Sequence, residues 1–165
     1  MCIKVIGFVG SLILISSIVT DTFAENDSQQ DIQSLETIIQ EVARGWEQAS
    51  AQPFQVHFLD QPGARYIEGG GQNNGLDDLV DHHVIPEGEY LTNFNLRVDP
   101  VEIHIEGNMA WAITNVEITG IIKKDNRKIH SRGFQTILFR KMSESWKIIH
   151  THSSSRPVKE EKHEH

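Results

Sequence analysis

Three turn signals divide the C-terminal half of the chain into four strand-like segments. The turns lie at residues 107–108, 124–127 and 142–145, and the segments span residues 91–105, 109–123, 128–141 and 146–154. Short connections of this kind join strands that run in opposite directions. The spacing therefore predicts an antiparallel meander of four long strands, which restricts the fold more than any other feature of the sequence.

The residues before the meander are predicted to be mainly helical. Apolar side chains recur at three- and four-residue intervals at Ile32, Leu35, Ile38, Ile39, Val42 and Trp46. This periodicity predicts a helix from Asp31 to Ala51. A short strand at 64–68, a flexible glycine-rich loop at 69–75 and a short helix at 76–84, ended by Pro86, are expected to follow.

Helices followed by consecutive antiparallel strands indicate the α+β class. The segments are longer than the usual five or six residues of a strand. We therefore expect the sheet to bend. It would form a cone-shaped curved antiparallel sheet wrapped around the N-terminal helix, with a pocket at the mouth of the cone.

The first 24 residues have the pattern of a signal peptide. Lys4 precedes an apolar run at residues 5–19, and Thr22-Phe23-Ala24 fits a cleavage site with small residues. The run is shorter than the roughly 20 residues that span a bilayer. We expect cleavage after Ala24 and export across the inner membrane to the periplasm. One domain at 25–157 and a disordered charged tail at 158–165 would remain.

Composition excludes several classes of partner and site. The chain carries 15 lysines and arginines against 23 acidic residues, a formal charge of −8. This balance, without a basic stripe, argues against nucleic acid and against anionic membrane surfaces. The one cysteine, Cys2, lies inside the predicted signal peptide, so the mature chain would have neither a disulfide nor a cysteine nucleophile.

Histidines are frequent, with nine in 165 residues, and two of them stand close together in the last strand. Strand periodicity predicts that His150 and His152 share a face with Trp146. The two imidazoles would be separated by about 6.6 Å along the strand, near enough to bind one Zn²⁺ or Cu²⁺ ion. A third ligand would come from His83 or His104. The alternative is that these imidazoles are structural and that no cofactor is required.

Two motifs resemble one family. The segment from Val101 to Ala110 is similar to a His-x-x-Gly-Asp-x-Ala turn, and Trp146 to Ser154 is similar to a Trp-x-x-Val-His-x-His-x-Ser closing strand. Residues 97–157 thus resemble the nuclear-transport-factor-2-like, or SnoaL-like, superfamily with its cystatin-like cone. The closer likeness is to the association (hub) domain of calcium/calmodulin-dependent protein kinase II and its bacterial relatives. Glu117 and Ile137 stand where that hub family has arginines.

The resemblance implies a pocket between helix and sheet, and a homodimer or higher homo-oligomer formed through the sheet. The predicted ligand-binding residues are Trp46, Tyr66, His83, Tyr90, His104, Trp111, Arg132, His150 and His152. Cone-shaped relatives also include isomerases, dehydratases and cyclases that use a pocket base and a proton donor. For such chemistry the candidates are His83, Tyr66, His104 and His150.

Four functions remain open from the sequence. The preferred hypothesis is an exported protein that binds a small molecule, with an enzyme of the isomerase, dehydratase or cyclase type as the alternative. A periplasmic metal-binding protein using His83, His104, His150 and His152 is the third. An oligomeric scaffold is the fourth. The identity of a ligand is not encoded in any motif of this chain.

Overall fold

The computed structural model describes residues 18–159 of the chain. The first part contains α1 (Ile18–Glu47), α2 (Gln52–His57), β1 (Arg65–Glu68), β2 (Gly71–Asn74), α3 (Leu76–Leu79), a π-helical segment (Val80–Val84) and α4 (Ile85–Tyr90). Four long strands follow: β3 (Leu91–Glu106), β4 (Met109–Ile122), β5 (Arg127–Met142) and β6 (Ser145–Pro157).

All six strands form one sheet in the order β2-β1-β6-β5-β4-β3. The meander β3 to β6 is antiparallel throughout, as the turn signals predict. The predicted α+β class, with an N-terminal helix against a curved sheet, is confirmed. The sheet is mixed rather than purely antiparallel, because β1 pairs in parallel with β6. Nothing in the pattern of the short strand β1 reveals which neighbour it pairs with.

Helix α1 packs its apolar stripe against the inner face of the sheet, where Leu35 and Ile39 are buried. A polar anchor fixes the same helix. The Nζ of Lys141 lies 2.8 Å from both carboxylate oxygens of Asp31, and the indole of Trp146 donates a 2.9 Å hydrogen bond to Oδ1. Burial opposes ionisation of Asp31, but these donors hold the pKa of the carboxyl below its usual value.

The segment between α2 and the meander differs from the prediction in two places. The expected flexible loop at 69–75 forms a hairpin, because β2 pairs with β1. The helix that the sequence predicts to end before Pro86 continues to Tyr90. The amide of Ile85 bonds to the carbonyl of Val80, five residues back, and Pro86 then occupies the first turn of α4. A proline is tolerated there because its missing N–H has no partner in a first turn.

The faces of β6 differ from the prediction, and the cause is a bulge. Leu138 pairs with His150 and Phe139 pairs with Ile148, which leaves Ile149 as the extra residue. Trp146 and Ile148 are buried on the inner side. Past the bulge, the alternation is shifted by one residue, so His150 and His152 lie on the outer face. The expectation that Trp146, His150 and His152 share one face is therefore wrong.

The two ends of the chain lie partly outside the described residues. The predicted signal peptide covers residues 1–24, of which 1–17 are outside. In the predicted tail, residues 160–165 are outside, but Val158 donates a 2.9 Å hydrogen bond to the carbonyl of His130, one residue beyond the pairing of Pro157 with Ser131. Among the helices of residues 18–159, none combines the length and apolar character that a bilayer crossing requires.

A candidate binding cavity on the inner face of the sheet

A cavity lies between the inner face of the sheet, helix α1 and the helical segment from α3 to α4. It encloses about 870 Å³ when its open mouth is counted, and about 70 Å³ of it admits the centre of a water molecule. Most of the wall is apolar, with Val42, Trp46, Phe58, Phe94, Leu96, Val116, Ile118 and Ile137. An apolar cavity with few polar groups is the usual form of a small-molecule site.

The polar edge of the cavity centres on His83. The amide Nδ2 of Asn73 donates to Nδ1 of the ring at 3.1 Å, and Nε2 lies 3.5 Å from a carboxylate oxygen of Glu68. Because Nδ1 accepts a hydrogen bond, the proton of the neutral ring sits on Nε2 and faces Glu68. Trp46 packs edge-to-face on the ring with centroids 5.0 Å apart. The imidazole is thus held from three sides.

Local backbone structure explains how these groups meet. The β1–β2 hairpin supplies Glu68 and Asn73, while the π-helical segment supplies His83. Glu87 follows four residues later on α4, so it lies on the same side of the helical segment as His83. Single π-helical turns are frequent at functional sites, where they redirect side chains.

Glu87 is the most perturbed carboxyl of the cavity. Burial, together with the nearby charge of Glu68, raises its pKa to about 7. Within residues 18–159, no hydrogen bond or ion pair is formed by its side chain. A carboxyl that titrates near neutral pH can carry or accept a proton under ordinary conditions.

Tyr66 contributes a buried hydroxyl to the cavity lining. Its side chain is 1% exposed and packs edge-to-face on Phe58 with centroids 5.0 Å apart. In the described part of the chain, the hydroxyl has no hydrogen-bond partner. Burial and the charge of Asp60 raise the pKa of Tyr66 to about 12, so the phenol stays protonated at neutral pH.

Three of the nine residues predicted to bind ligand line this cavity, namely Trp46, Tyr66 and His83. The other six lie elsewhere. Tyr90, at the end of α4, is 66% exposed and outside the lining. The remaining five face away from the cavity on the outer side of the sheet: His104, Trp111, Arg132, His150 and His152.

The outer-face residues have partners of their own. His104 stacks on Trp111 with centroids 4.9 Å apart and an interplanar angle of 13°. Arg132 donates through Nε to Glu117 at 2.8 Å. The ring Nδ1 of His150 donates to the carbonyl of Arg65 at 2.7 Å. These contacts are those of surface side chains on a sheet, and they place His104 and His150 away from the catalytic candidates His83 and Tyr66.

The four predicted metal ligands are not brought together. His83 lies inside the cavity, whereas His104, His150 and His152 lie on the outer face. In the part of the chain that the structure describes, no group of three or more histidine, cysteine or carboxylate side chains could hold a metal ion. The bulge at Ile149 turns His150 and His152 away from His83, and His104 lies on β3, three strands away from β6 in the sheet.

Sequence reasoning missed Glu68, Asn73, Glu87 and Ser153, which all line the cavity. Glu87 was missed because Pro86 indicated the end of the helix. A helix continued through that proline would have placed Glu87 one turn after His83, which is the signal that could have found it. Ser153 could not be found without the bulge in β6.

A family comparison agrees with this architecture. The model of the SnoaL-like domain matches residues 35–159. The chain therefore belongs to the SnoaL-like domain family. No curated protein is significantly similar to it in sequence.

Solved structures with the same fold include proteins of different kinds. A nuclear-transport-factor-2-like protein from Salmonella enterica serovar Typhimurium has a TM-score of 0.73 at 19% identity, over 84% of this chain and 99% of its own. A hexachlorocyclohexane dehydrochlorinase from Novosphingobium barchaimii has a TM-score of 0.65 at 15% identity, over 81% and 90%. A candidate scytalone dehydratase from Novosphingobium aromaticivorans has a TM-score of 0.69 at 10% identity, over 82% and 89%. At these identities the likeness establishes the fold alone.

Proposed function

We propose that this protein binds a small, largely apolar molecule in the cavity between α1, α4 and the inner face of the sheet. The observation that carries the proposal is the composition of that cavity. Apolar side chains from helix and sheet form the walls, while Glu68, His83 and Glu87 supply polar groups at one edge. In a cavity of this kind, the few polar groups orient a bound molecule, and burial of its apolar surface against the walls provides most of the affinity.

Two neighbouring serines of β6 provide a matched test. Ser153 lines the cavity, and Ser154 lies on the opposite face. Ser153→Phe should fill the cavity and reduce the binding of the neutral dye Nile red, measured by fluorescence, at least about tenfold. Ser154→Phe should leave that binding unchanged. Equal binding to both variants, with both folded by circular dichroism, would contradict the proposal.

The alternative function is acid–base catalysis of the dehydratase or isomerase type; a dehydrochlorinase and a candidate dehydratase are among the structural neighbours. One observation favours it: Glu87, whose pKa is about 7, stands on the same helical side as His83, which Asn73 and Glu68 fix in place. Both ring nitrogens of His83 have partners, so the ionised form of Glu87 is the base that removes a proton from a carbon beside a carbonyl, and the proton then passes from Glu87 to an oxygen.

Deuterium exchange beside the carbonyl of a small ketone that carries an aromatic ring, such as 2-tetralone, measures the removal of a proton from carbon. NMR should show exchange faster than in buffer, and Glu87→Gln should abolish the excess rate. His152→Gln, on the outer face, is the control. An unaccelerated exchange rate with the native protein would count against catalysis of this class for such ketones.

We further propose that the chain is exported and cleaved after Ala24. Support comes from the sequence pattern of residues 1–24, with Lys4 before an apolar run. Mass spectrometry of the protein recovered from an expressing Gram-negative host tests this. A periplasmic species beginning at Glu25 is expected, and an intact species in the cytoplasm would contradict it.

We also propose a homodimer formed through the outer face of the sheet, in line with the resemblance to hub domains. Its support is the exposure of large apolar side chains there, with Phe134 63% and Ile113 40% exposed. Light scattering after gel filtration should show a dimer that Phe134→Glu converts to monomer. Tyr90→Glu changes an equally exposed aromatic elsewhere and should leave the dimer intact. A native monomer would end this proposal.

A further inference from the structure

The charged groups of the cavity have one sign. Among the described residues that line it, Glu68, His83 and Glu87 are the ionisable side chains besides Tyr66, and no lysine or arginine is present. His83 has partners at both ring nitrogens, with the amide of Asn73 at Nδ1 and a carboxylate oxygen of Glu68 at 3.5 Å from Nε2. An anionic guest would therefore meet two carboxyls and no fixed positive charge.

The charges on the elements around Glu87 do not compensate its carboxylate. Glu68 on β1 carries the same charge, and His83 on the π-helical segment directs Nε2 to Glu68 rather than to Glu87. Glu47 on α1 is also acidic, and it already accepts hydrogen bonds from the side chain of Asn95 and the amide of Leu96. Lys123 directs its Nζ to the carbonyl of Gly88 at 2.8 Å. Glu87 is thus left without a cationic partner in residues 18–159.

Aromatic rings stand on the same side of the cavity. Trp46 contacts His83 and lines the cavity together with Phe94. The face of an indole or phenyl ring attracts a cation, most strongly where water is excluded.

We propose that the ligand of this cavity is an organic ammonium compound, with its apolar body against Trp46 and Phe94 and its cation beside the carboxylates of Glu87 and Glu68. This inference rests on the proposed binding function and names the chemical class of its ligand. Opposite charges within a few ångströms in a partly desolvated site attract by several times their interaction in water. A neutral guest would lack this attraction, and a carboxylate would be repelled.

The proposal has a consequence for pH. At pH 7 about half of the Glu87 side chains carry a proton, and an ammonium guest would favour the ionised form. Binding should therefore release protons to the buffer. It should also strengthen as the pH rises from 6 to 8, since Glu87 is increasingly ionised while an aliphatic ammonium stays charged.

Three probes of similar shape test the charge preference: 2-phenylethylammonium, 2-phenylethanol and 3-phenylpropionate. Calorimetric titration of the full chain at pH 8 should give at least about tenfold tighter binding for the ammonium than for the alcohol, and weakest binding for the carboxylate. Glu87→Gln should remove most of the preference, and Glu68→Gln part of it. Glu89→Gln, at an exposed position of the same helix outside the cavity lining, should leave it unchanged.

The outcomes separate this inference from the function on which it rests. If Nile red binds and is displaced by the alcohol or the carboxylate as well as by the ammonium, the cavity binds small molecules and the ammonium inference is wrong. An unchanged preference in both Glu87→Gln and Glu68→Gln would overturn it too. If the dye itself fails to bind, the proposed binding function fails first.

Discussion

The two faces of the sheet differ in what their side chains do, although both are built from the same strands. The inner face buries Ala110, Ala112 and Ile137 in the same hydrophobic core as the apolar side chains of α1 and leaves a cavity beside them. The outer face carries Trp111, His104 and an ionic cluster around Glu117. Apolar walls with a few unpaired polar groups characterise the inner side, whereas the polar groups of the outer side are largely paired.

The difference shows that side-chain size is a poor guide to which face is the core. On β4 the small residues Ala110 and Ala112 face inward, and Trp111 between them faces outward. Small side chains leave room for the helix that covers this part of the sheet. A bulky aromatic residue in a strand therefore does not by itself mark the inner face.

The largest expected effect is the loss of stability when a buried side chain of the inner face is truncated. Phe139 is fully buried and Phe134 is 63% exposed on the same strand. Phe139→Ala should lower the free energy of unfolding by about 3–5 kcal/mol, because it leaves a cavity in the core. At protein concentrations low enough to keep the chain monomeric, Phe134→Ala should change it by less than about 1 kcal/mol. Urea denaturation of both variants makes the comparison, and similar losses would refute the assignment of faces.

The next largest effect concerns Glu87 and the dependence of stability on pH. Burial and the charge of Glu68 raise the pKa of Glu87 from 4.5 to about 7. Between pH 4.5 and pH 7 the carboxyl therefore keeps its proton in the folded state but has lost it in the unfolded state. Stability should therefore fall as the pH rises from 4.5 to 7, by on the order of 2 kcal/mol. Glu87→Gln should remove this slope and be the more stable protein at pH 8. A slope that persists in the variant would exclude Glu87 as its source.

The carboxyl of the outer face should show the opposite sign. Hydrogen bonds from His130, Arg132 and Arg97 lower the pKa of Glu117 to about 2. Its contribution to stability is present above pH 4.5 and is lost as the pH falls toward 2. Glu117→Gln should therefore flatten the acid side of the stability profile, followed by circular dichroism, and leave the range from pH 5 to 8 unchanged. A change in the slope of that neutral range would contradict the pairing.

The smallest effect is expected at His152, which is exposed on the outer face opposite Thr136. His152→Ala should change the free energy of unfolding by no more than about 0.5 kcal/mol and leave Nile red binding intact. His83→Ala, inside the cavity, should weaken that binding while the fold is retained. If both variants bound Nile red equally well, the assignment of His83 to the cavity and His152 to the outer face would be contradicted.

The fold could be predicted from the sequence more completely than the site. Turn residues between long alternating segments define the meander, and apolar periodicity defines α1 from Leu35 to Trp46. The site depends instead on two local irregularities. The extra residue Ile149 moves His150 to the outer face, and the π-helical segment carries the helix past Pro86 so that Glu87 reaches the cavity. Neither has a residue signature, because a bulge and a π turn arise from how neighbouring elements pair and pack.

Thiol labelling along β6 tests the inner and outer assignment most directly. In a Cys2→Ser and Phe134→Glu background, which keeps the outer face free of a second copy, single Thr151→Cys, His152→Cys, Ser153→Cys and Ser154→Cys variants would be treated with a bulky maleimide and followed by mass spectrometry. Thr151→Cys and Ser153→Cys should react slowly and be protected further by a bound guest, while His152→Cys and Ser154→Cys should react at the rate of a free thiol. The reverse alternation would show that positions 150 and 152 face the cavity, and the assignment of the two faces would be wrong.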